Sequence, residues 1–255
     1  MTIRVGVMGA AGRMGRTVCA AVLDDPELEL VGAVDPAQAG TEVCGIAVDA
    51  EAAALADRAV DVVVDFTHLD AARTNLAWAA SAGVHAVVGT TGFSDGDYVQ
   101  LRAAFTDSNC IVAPNFAIGA VLMTRFAELA APWFETAEVI ELHHDQKLDA
   151  PSGTAMRTVE RMAAASPDWG SDPTRTETLP GARGATGPGG IHVHAVRLHG
   201  LVAHQEVLLG TTGQSLTIRH DSYDRTSFMP GVVLAIKQIG QHPGLTIGLD
   251  AFLNL

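Results

Sequence analysis

The densest group of side chains able to do chemistry lies between Glu141 and Ala155. Two histidines and a lysine, His143, His144 and Lys147, fall within five residues in a chain whose net charge is −13. An unperturbed imidazole titrates at about pH 6.5, close to the pH at which general acid catalysis works best. These residue types predict a site that donates a proton and carries positive charge.

The same run ends in residues that typically begin a helix. Pro151, Ser152, Gly153 and Thr154 precede apolar residues at helical spacing that continue to about Ala165. The free N–H groups of a first helical turn, together with the Ser and Thr hydroxyls, form a site for a carboxylate. A loop that supplies both proton donors and such a site favours the reduction of a small carboxylic acid.

Each of these residues also has a purely structural interpretation. Adjacent residues of a strand point to opposite faces, so only one of His143 and His144 enters a given cleft if the strand continues. Lys147 is compatible with a solvated surface lysine, and Ser152 with an ordinary helix cap. The residue types alone leave both interpretations open.

A second candidate site lies near the start of the chain. A short apolar stretch at 3–8 is followed by the glycine-rich residues 9–15, a helical pattern to Leu23 and a second apolar stretch that ends at Asp35. Glycines let the backbone approach a pyrophosphate at a helix N-terminus, and the acid accepts hydrogen bonds from a ribose. The loop reads GxxGxxG, with Ala11 in place of the second glycine of the commoner GxGxxG, so a plain βαβ turn is the alternative.

Strand and helix patterns alternate up to residue 115, which predicts a Rossmann-like α/β fold with a parallel, doubly wound sheet. We expect strands at 60–66, 85–88 and 110–113, and helices at 69–82, capped by Gly83, and at 95–106. Ligands bind beyond the carboxyl ends of such strands. The segments after these strands, 66–67, 89–91 and 113–116, should therefore lie on the cofactor side.

The rest of the chain predicts a second α+β domain built on a small mixed sheet. We expect a helix at 118–131, a strand at 136–142, a long irregular connection at 166–190, and strands at 192–198, 204–210 and 215–220, and a further helix at 231–240 follows this domain. His192, His194, His199, His204 and His220 have no Cys or carboxylate pair at ligand spacing, so we interpret them as buried or interface residues and predict no metal site. Asp224 and Arg225 are interdomain or cofactor-side contacts, and the sequence does not decide between these.

Composition argues against several classes of function. With 29 acidic and 16 basic residues, the chain lacks the cationic excess of a general nucleic-acid binder. No apolar run approaches the roughly 18 residues of a membrane span, and the first residues lack the layout of a secretory signal, so we expect a cytoplasmic protein that binds no membrane. Cys19, Cys44 and Cys110 form no CxxC pair and are expected to be reduced thiols.

The run ELHHDQKLDAPSGTA at 141–155 resembles the signature of the 4-hydroxy-tetrahydrodipicolinate (dihydrodipicolinate) reductase family of bacterial lysine and diaminopimelate synthesis. The likeness covers essentially the whole chain and includes motifs at 9–15, 65–67, 88–93, 113–116 and 219–228. It implies a dinucleotide-binding domain of residues 1–115 plus 222–255. It also implies a substrate-binding and oligomerisation domain of residues 116–221, in a homotetramer.

The resemblance also implies roles for individual residues. His143 would donate or accept a proton together with Lys147, while His144 would contact a small dicarboxylate substrate held by Ser152, Gly153 and Thr154. The nucleotide would be lined by Gly9, Ala10, Ala11, Gly12, Arg13, Met14, Asp35, Gly89, Thr90, Thr91, Ala113, Pro114, Asn115 and Phe116. The family reaction removes water from its substrate and reduces the resulting unsaturated ring with NADH or NADPH. This interpretation requires the histidine-lysine loop to face the nicotinamide ring.

Asp35 bears on the choice of cofactor. A carboxylate favours the ribose diol of NAD and repels the extra phosphate of NADP, and Pro36 stands where an NADP enzyme often has Arg. Arg13 offsets this in part, so we predict that NADH is used at least as well as NADPH.

Two alternative functions for the whole chain are a Rossmann reductase of another amino or keto acid and a non-catalytic NAD-binding regulator. The first does not explain the 141–155 run, and the second would be expected to lose His143 and Lys147.

Overall fold

The computed structural model describes residues 2–253. Its strands are β1 (Ile3–Met8), β2 (Leu28–Val34), β3 (Glu42–Val43), β4 (Ile46–Asp49), β5 (Val62–Asp65), β6 (His85–Val88), β7 (Cys110–Val112), β8 (Thr136–His143), β9 (Ala185–Thr186), β10 (His192–Arg197), β11 (Ala203–Thr211), β12 (Gln214–Ser222) and β13 (Leu245–Ile247). Its α-helices are α1 (Arg13–Asp24), α2 (Leu69–Ser81), α3 (Asp95–Ala104), α4 (Ile118–Ala130), α5 (Gly153–Ala165) and α6 (Met229–Gln238).

The chain forms two compact units. One runs up to Phe116 and resumes at Arg225, and the other is Ala117–Asp224. We call them the nucleotide unit and the substrate unit, after the ligands that the sequence predicts for them. The predicted return of the chain near residue 221 lies slightly before this division, and the predicted domain ends at 1 and 254–255 lie outside the described residues.

The nucleotide unit is built on an eight-stranded sheet of order β13-β7-β6-β5-β1-β2-β4-β3. Its pairs are parallel apart from β3 with β4. The strand order reverses between β1 and β5, which is the point where doubly wound sheets bind ligands. The predicted fold class is confirmed for this unit.

Uninterrupted apolar sequence explains why the central strands of this sheet are buried. Val62, Val63 and Val64 are all buried in β5, as a strand covered by helices on both faces requires. Leu76 of α2 and Phe105, the C-cap of α3, belong to the same hydrophobic core. This packing fixes the carboxyl ends of the strands, from which the candidate nucleotide loops extend.

The substrate unit contains a five-stranded mixed sheet of order β12-β11-β8-β10-β9. The pair β8–β10 is parallel and the others are antiparallel. Val139 and Val207 face a core with Met123 of α4 and Val159 of α5, so both helices cover one face of the sheet. The small mixed sheet is the one that the sequence predicts.

The predicted elements differ from the structure mainly in two segments. Between β2 and β5 the chain forms the short β3–β4 pair and a 3-10 helix at Ala52–Arg58, for which no element was predicted. The irregular connection at 166–190 contains β9 and a 3-10 turn at Pro188–Gly190.

Smaller differences concern the ends of elements. The cap of α2 is Ala82 and not the predicted Gly83, which lies one position further on with φ +68°. The predicted helix at 231–240 is α6, which begins and ends earlier and continues as a 3-10 turn. Among the described residues, no helix is both long and apolar enough to cross a membrane.

Candidate functional site

The glycine loop after β1 has a backbone that only glycine permits at two positions. Gly9 has φ +74°, and a Cβ there would lie 3.0 Å from the Phe66 carbonyl oxygen. A Cβ on Gly15 would lie 2.0 Å from the carbonyl oxygen of Gly9. Gly12 is the N-cap of α1 and provides no side-chain hydrogen bond, so the first N–H groups of the helix have no side-chain cap. This is a suitable site for a pyrophosphate.

Asp35 lies directly after β2, beside the glycine loop. Its Oδ2 accepts a hydrogen bond of 3.2 Å from the backbone N–H of Ala11, and its Oδ1 accepts one of 3.2 Å from Ala37. The side chain is half-buried. The carboxylate is therefore held at the loop, where the sequence predicts contact with a ribose.

A buried carboxylate that the sequence analysis did not single out connects two further loops. Asp65, at the end of β5, is fully buried and accepts hydrogen bonds from the hydroxyls of Thr67 and Thr90, each at 2.8 Å, and from Asn75 at 2.7 Å. Thr90 is buried and its hydroxyl is used within the protein. Its side chain therefore shapes the loop after β6.

The remaining predicted nucleotide residues lie at the same edge of the sheet. Residues 89–91 follow β6 and 113–116 follow β7, and both strands are parallel to β5 and β1. The rings of Phe66 and Phe116 pack with centroids 5.9 Å apart, and a Cβ on Gly89 would lie 2.0 Å from the Phe66 ring. The structure thus brings the predicted segments to one edge, and their contact with a nucleotide stays a prediction.

In the substrate unit, His143 is the last residue of β8 and His144 lies beyond the strand. Nδ1 of His143 is 2.5 Å from Oε2 of Glu141, whose side chain is fully buried, while 16% of the His143 side chain is exposed. Glu141 and His143 lie on the same face because they are two residues apart on a strand. His144 is exposed.

Glu141 accepts three further hydrogen bonds, from two residues. The terminal nitrogens of Arg197, at the end of β10, donate to its two oxygens at 2.8 and 2.9 Å, a bidentate pair. The backbone N–H of Ser152 donates to Oε1 at 3.1 Å. Sequence reasoning missed Glu141 and Arg197, although the apolar-polar alternation of β8 already places Glu141 on the covered face.

Opposing effects determine the protonation of this pair. Burial is the largest influence on the pKa of His143 and lowers it, Glu141 raises it, and Lys147 and Arg197 lower it, so the net shift is downward. For Glu141, burial raises the pKa, but hydrogen bonds from Arg197 and His143 outweigh it and the net pKa is lowered. The carboxyl is therefore ionised at neutral pH.

Lys147 and the start of α5 complete the candidate site. Nζ of Lys147 donates to both carboxylate oxygens of Asp149 at 2.7 and 2.9 Å, which lowers the pKa of Asp149. Ser152 is the N-cap of α5, and its hydroxyl accepts from the N–H of Ala155 at 3.2 Å, the ordinary capping role. Thr154 is half-buried, Gly153 is exposed, and a Cβ on Gly153 would meet no atom within 4 Å.

Most of the other histidines of this unit each contact one carboxylate. The pairs and their distances are His194–Glu138 at 2.7 Å, His204–Asp221 at 2.6 Å, His192–Asp172 at 3.2 Å and His199–Asp145 at 3.3 Å. His220 packs against Gly119 of α4, where a Cβ would lie 2.5 Å from its ring. Within residues 2–253, no group of three or more His, Cys, Asp or Glu side chains could hold a metal ion.

Comparison with known proteins gives one consistent result. Residues 3–116 match the family model of the dihydrodipicolinate reductase N-terminus, and residues 119–253 match that of the C-terminus. Relatives named 4-hydroxy-tetrahydrodipicolinate reductase include one from Nocardia farcinica, 53% identical with full coverage of both chains, and one from Corynebacterium urealyticum, 51% identical over 99% of each. A solved structure, dipicolinate-bound dihydrodipicolinate reductase from Paenisporosarcina sp. TG-14, has a TM-score of 0.89 at 41% identity and covers 98% of this chain and 99% of that one. The chain belongs to the dihydrodipicolinate reductase family.

Proposed function

We propose that this protein reduces 4-hydroxy-tetrahydrodipicolinate to tetrahydrodipicolinate with loss of water, using NADH or NADPH, in diaminopimelate and lysine biosynthesis. Family membership over both units supports the assignment. The observation that carries it is the bond between His143 and the buried Glu141 at the end of β8, directly before the loop that carries Lys147 and leads to α5. This loop combines a proton donor with groups that bind carboxylates.

The nucleotide unit suits a pyridine dinucleotide. The close packing at Gly9 and Gly15 brings the loop backbone to the start of α1, and Asp35 lies beside it. Residues 9–14 would hold the pyrophosphate, Asp35 the ribose, and residues 89–91 and 113–116 the remainder of the nucleotide. When bound, the reduced nicotinamide supplies a hydride to C4 of the substrate ring.

The substrate unit then has two tasks. Hydride addition at C4 leaves an electron-rich enamine that must be protonated at the neighbouring carbon, and the unbonded nitrogen of His143, Nε2, is suited to deliver that proton. Lys147 shares in this transfer and provides positive charge. His144, exposed just beyond β8, contacts the substrate.

The two carboxylates of the substrate need positive partners in an acidic protein. Lys147, which pairs with Asp149 in this structure, supplies a positive charge, and the N-terminus of α5 supplies N–H groups at Gly153 and Thr154, next to Ser152. The dicarboxylate dipicolinate in the Paenisporosarcina structure supports a ligand of this class.

We also infer how the chain is divided between its two functions and how it assembles. The chain divides functionally into 1–115 plus 222–255 for the nucleotide and 116–221 for substrate and assembly, and it works as a homotetramer in the cytoplasm. Half-buried Glu138, Ile140 and Leu208 lie on the sheet face opposite α4 and α5, and this face would provide the contact between subunits.

A coupled assay tests the proposal directly. The substrate is generated by the preceding synthase, and oxidation of NADH and of NADPH is followed by absorbance, with dipicolinate as the inhibitor. We expect synthase-dependent oxidation that dipicolinate suppresses. Oxidation with other amino or keto acids in place of this substrate would favour another Rossmann reductase, and nucleotide binding without turnover would favour a regulator.

A further inference from the structure

The carboxylate of Glu141 has no capacity left for a substrate. An ionised carboxylate is only an acceptor, with about four lone-pair sites. The two Arg197 nitrogens, Nδ1 of His143 and the N–H of Ser152 account for four contacts, at 2.5–3.1 Å. With its side chain fully buried as well, Glu141 acts through its neighbours and not on the reacting atoms.

The ionised state of Glu141 determines which nitrogen of His143 carries a proton. A hydrogen bond between a carboxylate and an imidazole nitrogen requires the hydrogen on the nitrogen, because the carboxylate cannot donate. The neutral ring is therefore protonated at Nδ1, toward Glu141. Nε2 is left to gain and lose the catalytic proton.

The same ion pair anchors the loop that carries the other predicted substrate contacts. The loop starts after His143 and ends at Ser152, and both of these residues bond to Glu141. Arg197 also donates to the backbone oxygen of Asp149 at 2.6 Å, and the side chain of Asp149 holds Lys147. One buried cluster thus sets the start, the middle and the end of the loop.

We propose that Glu141 and Arg197 are positioning residues: Glu141 orients the His143 ring with Nε2 as its proton-exchanging nitrogen, and the Glu141–Arg197 pair fixes the Lys147 loop against the end of the sheet. The inference rests on the proposed function for the meaning of the proton transfer. The orientation of the ring and the anchoring of the loop are physical properties that can be measured without turnover.

The charged groups around His143 determine its pKa, so a change at Glu141 should alter how the protein responds to pH. The groups that influence its pKa are Glu141 on its own strand, Lys147 in the loop and Arg197 on β10, while β11 places the non-titrating Ala203 opposite it. Glu141 is the one of these three that favours the imidazolium. Replacing it with Gln should therefore lower the pKa of His143 further.

The direct test is nitrogen NMR of the histidine rings in the full chain, with the His143 signals assigned by their loss in His143→Gln. In the wild type we expect the Nδ1–H tautomer and, in Glu141→Gln, a titration at lower pH. Glu128→Gln is the matched control, because Glu128 of α4 lies in the same unit, pairs with Arg125 and Arg161 at 2.9 and 3.6 Å, and is not among the groups that influence the pKa of His143. An Nε2–H tautomer in the wild type would overturn the inference without any variant.

Kinetics provide the second readout. A general acid loses activity as the pH rises through its pKa. Because Glu141→Gln lowers the pKa of His143, the alkaline limb of the kcat–pH profile should move to lower pH. Above that pKa, kcat should fall about tenfold for each pH unit. The shift should be absent in Glu128→Gln. Glu141→Asp retains the charge but not the reach, so kcat should fall while the limb stays near its wild-type position.

Arg197→Lys tests the anchoring of the loop. Lysine retains the charge but cannot make the bidentate contact, so the KM for the substrate should rise while the affinity for NADH is unchanged. If Glu141→Gln does not fold, Glu141→Asp and the wild-type tautomer still decide the matter. A wild type without turnover but with the expected tautomer would refute the proposed function alone, and an active enzyme whose Glu141→Gln profile matches the wild type would refute the positioning role alone.

Discussion

The two candidate sites of this molecule depend on different contacts, one on backbone packing and the other on buried side chains. The loop after β1 is shaped by backbone, where Gly9 and Gly15 allow contacts that a Cβ would block, and the carboxylate of Asp35 lies beside it. The loop after β8 is shaped by side chains, through a buried carboxylate and a guanidinium that are 56 residues apart in sequence. A backbone-shaped loop suits a helix N-terminus that binds a phosphate. A cluster of buried side chains suits an imidazole that must keep its proton on one nitrogen.

This difference predicts that substitutions at the end of β8 and in the loop after it impair catalysis, whereas substitutions in the loop after β1 impair nucleotide binding. His143→Ala or Lys147→Ala should lower kcat by about 10²- to 10⁴-fold, the usual contribution of a positioned acid, and leave the affinity for NADH nearly unchanged. Steady-state kinetics with the coupled assay and NADH titration by fluorescence check both halves. Near-normal turnover in either variant would contradict the assigned roles.

A change at Gly15 should have the opposite signature. In a helix, Ala is usually more favourable than Gly by about 1 kcal/mol, but a Cβ at Gly15 would lie 2.0 Å from the oxygen of Gly9. We therefore expect Gly15→Ala to lower stability by about 1–3 kcal/mol, as overpacking does, and to abolish tight NADH binding.

Thermal unfolding and NADH titration measure the effect of Gly15→Ala. The control is Gly240→Ala, since a Cβ there meets no atom within 4 Å. If Gly15→Ala binds NADH as well as this control does, the loop does not depend on the close backbone contact.

Asp35 is the one side chain of the nucleotide loop from which we expect a clear change of specificity. Asp35→Ser removes the charge that disfavours a 2′-phosphate, so the ratio of kcat/KM for NADPH to that for NADH should rise by about tenfold, or roughly 1.4 kcal/mol. The wild type should use NADH at least as well as NADPH. A tenfold or larger preference of the wild type for NADPH would contradict the role of Asp35.

The same contrast explains what the sequence could and could not predict. The glycine loop, Asp35 and the Ser152 cap are local patterns, in which neighbouring residues impose a turn, a strand end or a helix start, and the structure has each of them where the pattern indicates. Glu141 and Arg197 were missed because their pairing depends on the parallel register of β8 and β10, a property of the folded sheet.

Short elements were also missed. The pair β3–β4 and the strand β13 have two to four residues each, too few for a periodic pattern to show.

The smallest predicted effect concerns a charge network in the nucleotide unit that can be compared with the Glu141 cluster. Arg73 of α2 donates to both oxygens of Asp97 at 2.8 and 3.0 Å, and Asp97 also closes the capping box of α3 with Ser94. Hydrogen bonds from Arg73 and Ser94 lower the pKa of Asp97. A carboxyl whose pKa is lowered on folding adds stability above its unfolded pKa, and this stability is lost as the pH falls through the folded value.

Removing this guanidinium should therefore affect stability in a pH-dependent way without affecting catalysis. In Arg73→Gln, Tm should fall slightly at pH 7. The difference from the wild type should begin to shrink as the pH falls below the ordinary Asp pKa of about 3.9, and it should vanish only below the lowered folded pKa, where both proteins have lost the contribution of ionised Asp97. The alkaline limb of kcat should stay in place, in contrast with Glu141→Gln, since Arg73 belongs to the nucleotide unit and is absent from the groups that set the pKa of His143. A Tm difference that grows in acid would show that Arg73 stabilises the fold by packing and not through the charge of Asp97, and the contrast between the two networks would then rest on catalysis alone.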